Sequence, residues 1–180
     1  MRRKRKKYCM PLDNHAAAAH TSARGDSNMN MQLTQRETDL LKDLKGQEKL
    51  CVDKYNKHAA AAVDGQLKGL FASIAQTEQQ HLDTLTQIEN GTVPQPAGGS
   101  QQQPTFTATY TAVQTRDKQN DCYLCTDVLA MEKHASHLYD TCIFEFQDEN
   151  TRNVLNHIQK EEQNHGKMIY DYMNTNAMYS

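Results

Sequence analysis

The sequence predicts an all-α fold, an antiparallel four-helix bundle made from one helical hairpin written twice. Three observations carry that reading. A Glu-x-x-His pair occurs at Glu78/His81 and again at Glu162/His165, 84 residues later. The same offset takes Glu132 to Glu48, Lys133 to Lys49 and Tyr139 to Tyr55. Each of four long segments also repeats its apolar residues at alternating steps of three and four, the spacing that holds side chains on one helical face. A chain of 180 residues suits one domain with one core.

The first helix is expected from Thr34 to about Ala62. The Thr34 hydroxyl caps its first turn, and Glu37, three residues on, completes a capping box. Its inward stripe reads Leu41, Leu44, Glu48, Cys51, Tyr55, His58 and Ala62. Asp64 and Gly65 break this helix and open the second, whose stripe is Leu67, Phe71, Ile74, Glu78, His81, Leu85 and Ile88; Asn90-Gly91 ends it. The hairpin thus covers residues 34–89. Residues 90–116 form a linker, with Pro94, Pro96, Gly98, Gly99, Gln101 to Gln103 and Pro104 and no helical or strand period. So long a connection in a small domain needs a reason. A helix of about 26 residues is about 39 Å long, and this linker can cross the whole bundle, the single long crossover of ferritin-like folds.

The second hairpin is expected over residues 117–174. Its third helix has the stripe Cys125, Val128, Glu132, Ala135, Tyr139, Cys142 and Phe146, each residue 84 beyond its counterpart. The fourth, with Thr151, Leu155, Ile158, Glu162, His165, Ile169 and Tyr172, repeats the second helix in register. Phe144, Phe146 and Tyr139 read as an aromatic core cluster. His58 reads as packing at a stripe edge, and His134 and His137 as surface residues.

Charge and composition exclude several function classes. Residues 1–30 hold seven Lys or Arg against two Asp, a balance of +5, so a net charge of -2 leaves -7 for residues 31–180. The body offers no basic face for nucleic acid. No run of about 18 apolar residues is present, so no membrane span is expected. The basic start Met1 to Lys7 is not followed by the apolar stretch of a signal peptide. Residues 1–30 read instead as a disordered basic extension, or as the result of a start codon placed ahead of Met29 or Met31; the domain proper is 31–180. Of the five cysteines, Cys51, Cys125 and Cys142 fall on core positions, which argues for reduced, buried thiols. Cys122-x-x-Cys125 lacks the second pair that a zinc knuckle needs, and its role is open.

The chemistry is expected where polar residues interrupt the apolar stripes: Glu48, Glu78, His81, Glu132, Glu162 and His165. Four ionised carboxylates in a core repel one another and cost many kcal/mol without compensation. Two divalent ions supply +4 against -4, and carboxylate with imidazole suits iron or manganese, with zinc a further occupant. The i, i+3 spacing lets each Glu and His reach one ion while the Glu bridges to the other. The alternative is a bundle whose carboxylates are protonated, or paired with His, and hold no metal. Tyr55 and Tyr139 read as core phenols satisfied by carboxylates. No residue is assigned as catalytic.

The stretches Gln47-Glu48-Lys49-Leu50-Cys51, Leu67 to Phe71, Thr77-Glu78-Gln79-Gln80-His81, Tyr139 to Phe146 and Asn156 to Gly166 resemble the coat F family of bacterial spore coat proteins, over nearly everything from Met31 onward. That resemblance implies a ferritin-like domain made in the mother cell, deposited in the spore coat, and associated with other coat proteins or with itself. The six polar residues are also similar in arrangement to the di-metal ligands of rubrerythrins and manganese catalases. The Cys-rich iron module that often accompanies rubrerythrins has no counterpart here. Three functions follow as expectations: a structural coat protein, with or without a di-iron or di-manganese centre; a di-metal enzyme that consumes peroxide; and an iron-storing cage.

Overall fold

The computed structural model describes residues 32–95 and 103–179. The basic extension with Cys9, and Pro96 to Gln102 of the linker, lie outside the described residues. Four helices appear in order: α1 (Gln35–Ala61), α2 (Gly65–Glu89), α3 (Arg116–Glu145) and α4 (Glu149–Thr175). Each start is capped as its sequence demands. Thr34 and Glu37 form the capping box on α1, Asp64 Oδ1 accepts from Gln66 N at 3.0 Å, Thr115 Oγ1 from Lys118 N at 3.1 Å, and Asp148 Oδ1 from Thr151 N at 2.6 Å. Gly91, at φ 81°, closes α2: Thr92 N donates to Gln87 O and Gly91 N to Ile88 O, the double bond of a glycine-terminated helix.

Paired contacts fix the topology. Tyr55 reaches Glu132 and Tyr139 reaches Glu48, so α1 and α3 run antiparallel. His81 meets Glu161 and His165 meets Glu78, so α2 and α4 do the same. Both hairpins being antiparallel, α2 and α3 run in the same direction, and the connection between them must travel the length of the bundle, about 37 Å for the 25 residues of α2. Its second half is laid down by specific bonds. Gln66 exchanges hydrogen bonds with Thr107, and Asn176 Oδ1 accepts from Thr109 N at 2.8 Å and Tyr110 N at 3.0 Å. Phe106 meets Tyr172 edge-on at 5.4 Å. Asp121, fully buried, receives Val63 N, Asp64 N and the Tyr110 hydroxyl, which staples the α1–α2 turn and the linker to the start of α3.

The core divides in two. One apolar cluster gathers around Tyr55, Phe71, Val128 and Ile169; the other gathers around Leu41, Leu44, Leu85 and Leu155. Each fully buried leucine contributes about 1.5–3 kcal/mol. Between the clusters lies a polar layer. Phe144, expected in the aromatic core, is 86% exposed; two residues past Cys142 it has rotated about 200° around the helix, away from the stripe.

Glu37 does more than cap. Its second oxygen accepts from Gln147 N at 2.9 Å, tying the start of α1 to the α3–α4 turn. Burial pushes its carboxyl up, but the bonds from Gln147 and Thr34 prevail and hold it below the usual carboxylate range. A depressed pKa contributes stability above the unfolded value and loses it as pH falls through the folded one. Glu37→Ala is therefore expected to cost about 1–2 kcal/mol near neutrality and progressively less on acidification. Urea unfolding of both proteins across pH checks this; a cost that grows toward acid pH contradicts it.

Candidate metal centre

The polar layer consists of the six residues expected from the doubled motif, all at most 3% exposed. Each stands on its apolar stripe because the helical repeat gives it no other face. The layer has an internal two-fold arrangement. His81 Nδ1 lies 2.9 Å from Glu162 Oε1, and His165 Nδ1 lies 2.9 Å from Glu78 Oε1. His81 Nδ1 is 3.7 Å from Glu48 Oε2, and His165 Nδ1 is 3.7 Å from Glu132 Oε2. The Tyr55 hydroxyl donates to Glu132 and the Tyr139 hydroxyl to Glu48. The imidazoles stack 5.8 Å apart.

Several of these close approaches are not hydrogen bonds. Glu48 Oε2, Glu78 Oε1, Glu132 Oε2, both Glu162 oxygens and both His165 nitrogens are buried without a hydrogen-bond partner. The 2.9 Å approach of His165 Nδ1 to Glu78 Oε1 is near in distance and off the direction a hydrogen bond takes. Buried donor atoms gathered together without hydrogen-bond partners are what ligands of a cation present. Two groups of four residues have ligand atoms within 4.8 Å of one another: Glu48, Glu78, His81, Glu162 and Glu78, Glu132, Glu162, His165. Glu78 and Glu162 belong to both. The donor set therefore fits divalent cations, with Glu78 and Glu162 common to both groups.

Without metal, protons take over the compensation. Burial lowers both imidazole pKa values, but the surrounding carboxylates overrule it and hold His81 well above its usual value and His165 up at about 10. Burial pushes Glu48 up to about 7 and raises Glu162 further from the carboxylate range. Glu78 is held low, since two imidazoles outweigh its burial. The Tyr55 and Tyr139 hydroxyls stay protonated, raised by burial and by the neighbouring carboxylates.

One functional residue escaped the stripe argument. Glu161 Oε2 sits 2.9 Å from His81 Nε2 and 3.4 Å from His157 Nε2. Burial raises its carboxyl, and the bond to His81 brings it below the usual range. Accepting from Nε2–H, it leaves Nδ1 free to face the centre. The counterpart of Glu161 in the first hairpin is Thr77, so the repeat alone gave no sign of it. Glu161→Ala is expected to weaken metal affinity about 10- to 100-fold without abolishing it. Competition with a chelator of known affinity measures this, and unchanged affinity contradicts it.

The other candidates lie elsewhere. Cys51, Cys122, Cys125 and Cys142 are free thiols. Burial and the nearby carboxylates hold the Cys51 thiol far above its usual value; burial raises Cys125 and pushes Cys142 up to about 11. Cys125 is in the core, whereas Cys122 is half-buried with its Sγ 3.7 Å from Met178 O. His58 packs edge-on to Phe71 and pairs with Asp127 at 2.8 Å. His134 and His137 are exposed.

Among the described residues no helix is long and apolar enough to cross a membrane. No curated protein and no solved structure matches the chain. A family model does, the Coat F domain, over residues 120–180. That span holds most of α3 and all of α4, with Glu132, Glu162 and His165. Across its second hairpin, then, this chain is similar to the Coat F domain family.

Proposed function

We propose that this protein is a component of the bacterial spore coat, in which a ferritin-like bundle is held together by a di-iron or di-manganese centre. The Coat F match over residues 120–180 supports the coat. The observation that carries the metal reading is the layer of buried donor atoms without hydrogen-bond partners. In this reading Glu78 and Glu162 bridge the two ions, Glu48 with His81 and Glu132 with His165 complete them, and Tyr55 and Tyr139 orient the terminal carboxylates. The role is structural: a centre whose ligands come from all four helices ties the two hairpins at the level between two apolar clusters, each of which draws on both hairpins. Self-association, or contact with other coat proteins, fits the exposed Tyr123 and Phe144.

Elemental analysis of protein prepared without a metal-binding tag tests the centre. Two equivalents of iron or manganese are expected, and metal-free protein of undiminished stability overturns it. Extraction of purified spores tests the location. The protein is expected in the coat fraction; recovery from the spore interior alone overturns that assignment.

A second reading is a redox enzyme acting on peroxide. Each group would offer an ion four protein donors, fewer than the six that iron and manganese commonly take, and a redox-active pair held there would supply electrons to a small oxidant. Peroxide turnover lost in Glu78→Ala supports this reading, and metal-loaded protein inert to peroxide retires it.

A further inference from the structure

The two hairpins act as controls for each other, because any difference at matched positions is a departure from a common plan. One departure beside the polar layer is Gly166, whose counterpart is Leu82. A cleft of about 360 Å³ opens on the α3–α4 face, lined by Leu129, Glu132, Lys133, Ser136, Glu162, Gln163 and Gly166. Two of the six candidate ligands, Glu132 and Glu162, lie beneath it, with their carboxylates buried.

Packing does not explain the glycine. Gly166 lies within α4, where glycine costs about 1 kcal/mol relative to alanine. Its φ is not positive, and a Cβ would meet Leu129 Cδ1 at 3.6 Å and Glu132 Cβ at 3.9 Å, ordinary contacts. No backbone closes on it. What the missing side chain leaves is volume directly over Glu132. Ser136 extends the opening where the first hairpin has Val52. Leu82 and Val52 are both half-buried, so the α1–α2 face carries bulk where the α3–α4 face carries none. Lys133 in the cleft is matched by Lys49, whereas Leu129 is matched by Lys45, so the α1–α2 face carries one more cation as well as more bulk.

The geometry points to a one-sided entrance: the cleft at Gly166 admits a polar molecule of the size of peroxide or azide to the centre over Glu132 and Glu162, while Leu82 and Val52 close the matching approach over Glu48 and Glu78. This rests on the di-metal reading above. It makes the α3–α4 face differ from the α1–α2 face despite their matched ligands, while a smaller cleft of about 110 Å³ touches His81 and Glu161 on the α2–α4 side.

The test uses the full chain loaded with iron and oxidised, its iron counted by elemental analysis, then titrated with azide and followed by the azide-to-iron charge-transfer absorption. Wild type is expected to bind azide. Gly166→Leu, which copies the closed face, is expected to keep the same iron content and lose azide affinity about tenfold or more. Gly166→Ala is expected to lose less. Should Gly166→Leu fail to fold by circular dichroism, Ser136→Val, which copies Val52 at the mouth, is expected to weaken azide binding with iron content unchanged. Iron-loaded wild type that ignores azide, or a folded iron-loaded variant that binds it as wild type does, overturns the entrance and leaves the centre standing. Wild type that takes up no iron overturns both, and the elemental count shows this before azide is added.

Discussion

Glu78→Ala is expected to yield a protein that retains neither metal equivalent and whose metal-free form is less stable than the wild-type apoprotein by about 3–5 kcal/mol. Both effects come from its position. Glu78 belongs to both groups of candidate ligands, so its loss removes a donor from each ion at once. In the apoprotein it lies 2.9 Å from His165 Nδ1 and 3.3 Å from His81 Nδ1, and those imidazoles keep it ionised against the cost of burial. Removing it leaves two buried cations short of their common anion, and breaking a buried pair from one side is far costlier than replacing both partners. Elemental analysis and urea unfolding of metal-free samples measure the two effects separately. Retention of two metal equivalents contradicts the bridging role. Loss of metal without loss of apoprotein stability would instead mean that His81 and His165 are neutral in the empty site.

Much of this was legible in the sequence because helical repeat and internal duplication constrain the same residues. A step of three or four fixes a face, and an offset of 84 fixes which faces meet. All of the stripe residues are buried except His58, which is half-buried. The six polar positions converge because antiparallel pairing of α1 with α3, and of α2 with α4, brings matched residues to one level. The crossover length likewise followed from a linker too long for a turn. What was not legible is whatever breaks the repeat. Glu161, Asp121, Lys118 and Asn176 are half-buried or buried, yet they read as ordinary surface residues in a helical pattern. Their partners come from the linker, from the α1–α2 turn or from a helix across the groove: Lys118 Nζ donates to Thr111 O at 2.8 Å, Asp121 accepts from Val63 N and Asp64 N, and Asn176 holds Thr109 and Tyr110. Such contacts depend on where an aperiodic segment lies, and periodicity carries no information about that. Phe144 failed for a related reason. It is aromatic and close in sequence to the core residue Cys142, but a helix presents positions two apart on opposite sides.

The metal-free and metal-loaded proteins are expected to respond to pH in opposite directions. In the apoprotein, burial lifts the Glu48 carboxyl to about 7, and neighbouring carboxylates lift His165 to about 10 and His81 also above its usual value. A folded pKa above the unfolded one gives stability that is complete below the unfolded pKa and is lost as pH rises through the folded one. Glu48 therefore withdraws its contribution from about pH 4.5 to about 7, and His165 from about 6.5 to about 10. Glu78, held low, contributes above about 4.5 and loses its part only in stronger acid. Apoprotein stability accordingly peaks in mild acid and declines through neutrality. Metal binding has the reverse sign, because the protons on His81, His165 and Glu162 must leave before those atoms can coordinate, and affinity climbs as pH rises. Thermal unfolding with and without bound manganese, across mildly acid to mildly basic pH, should show the two midpoints diverging. Calorimetric titration in buffers of different ionisation enthalpy should show proton release on loading. Midpoints that move in parallel, with no protons released, would mean that the layer is already deprotonated without metal, and carboxylate repulsion in that state would make a stable apoprotein hard to sustain.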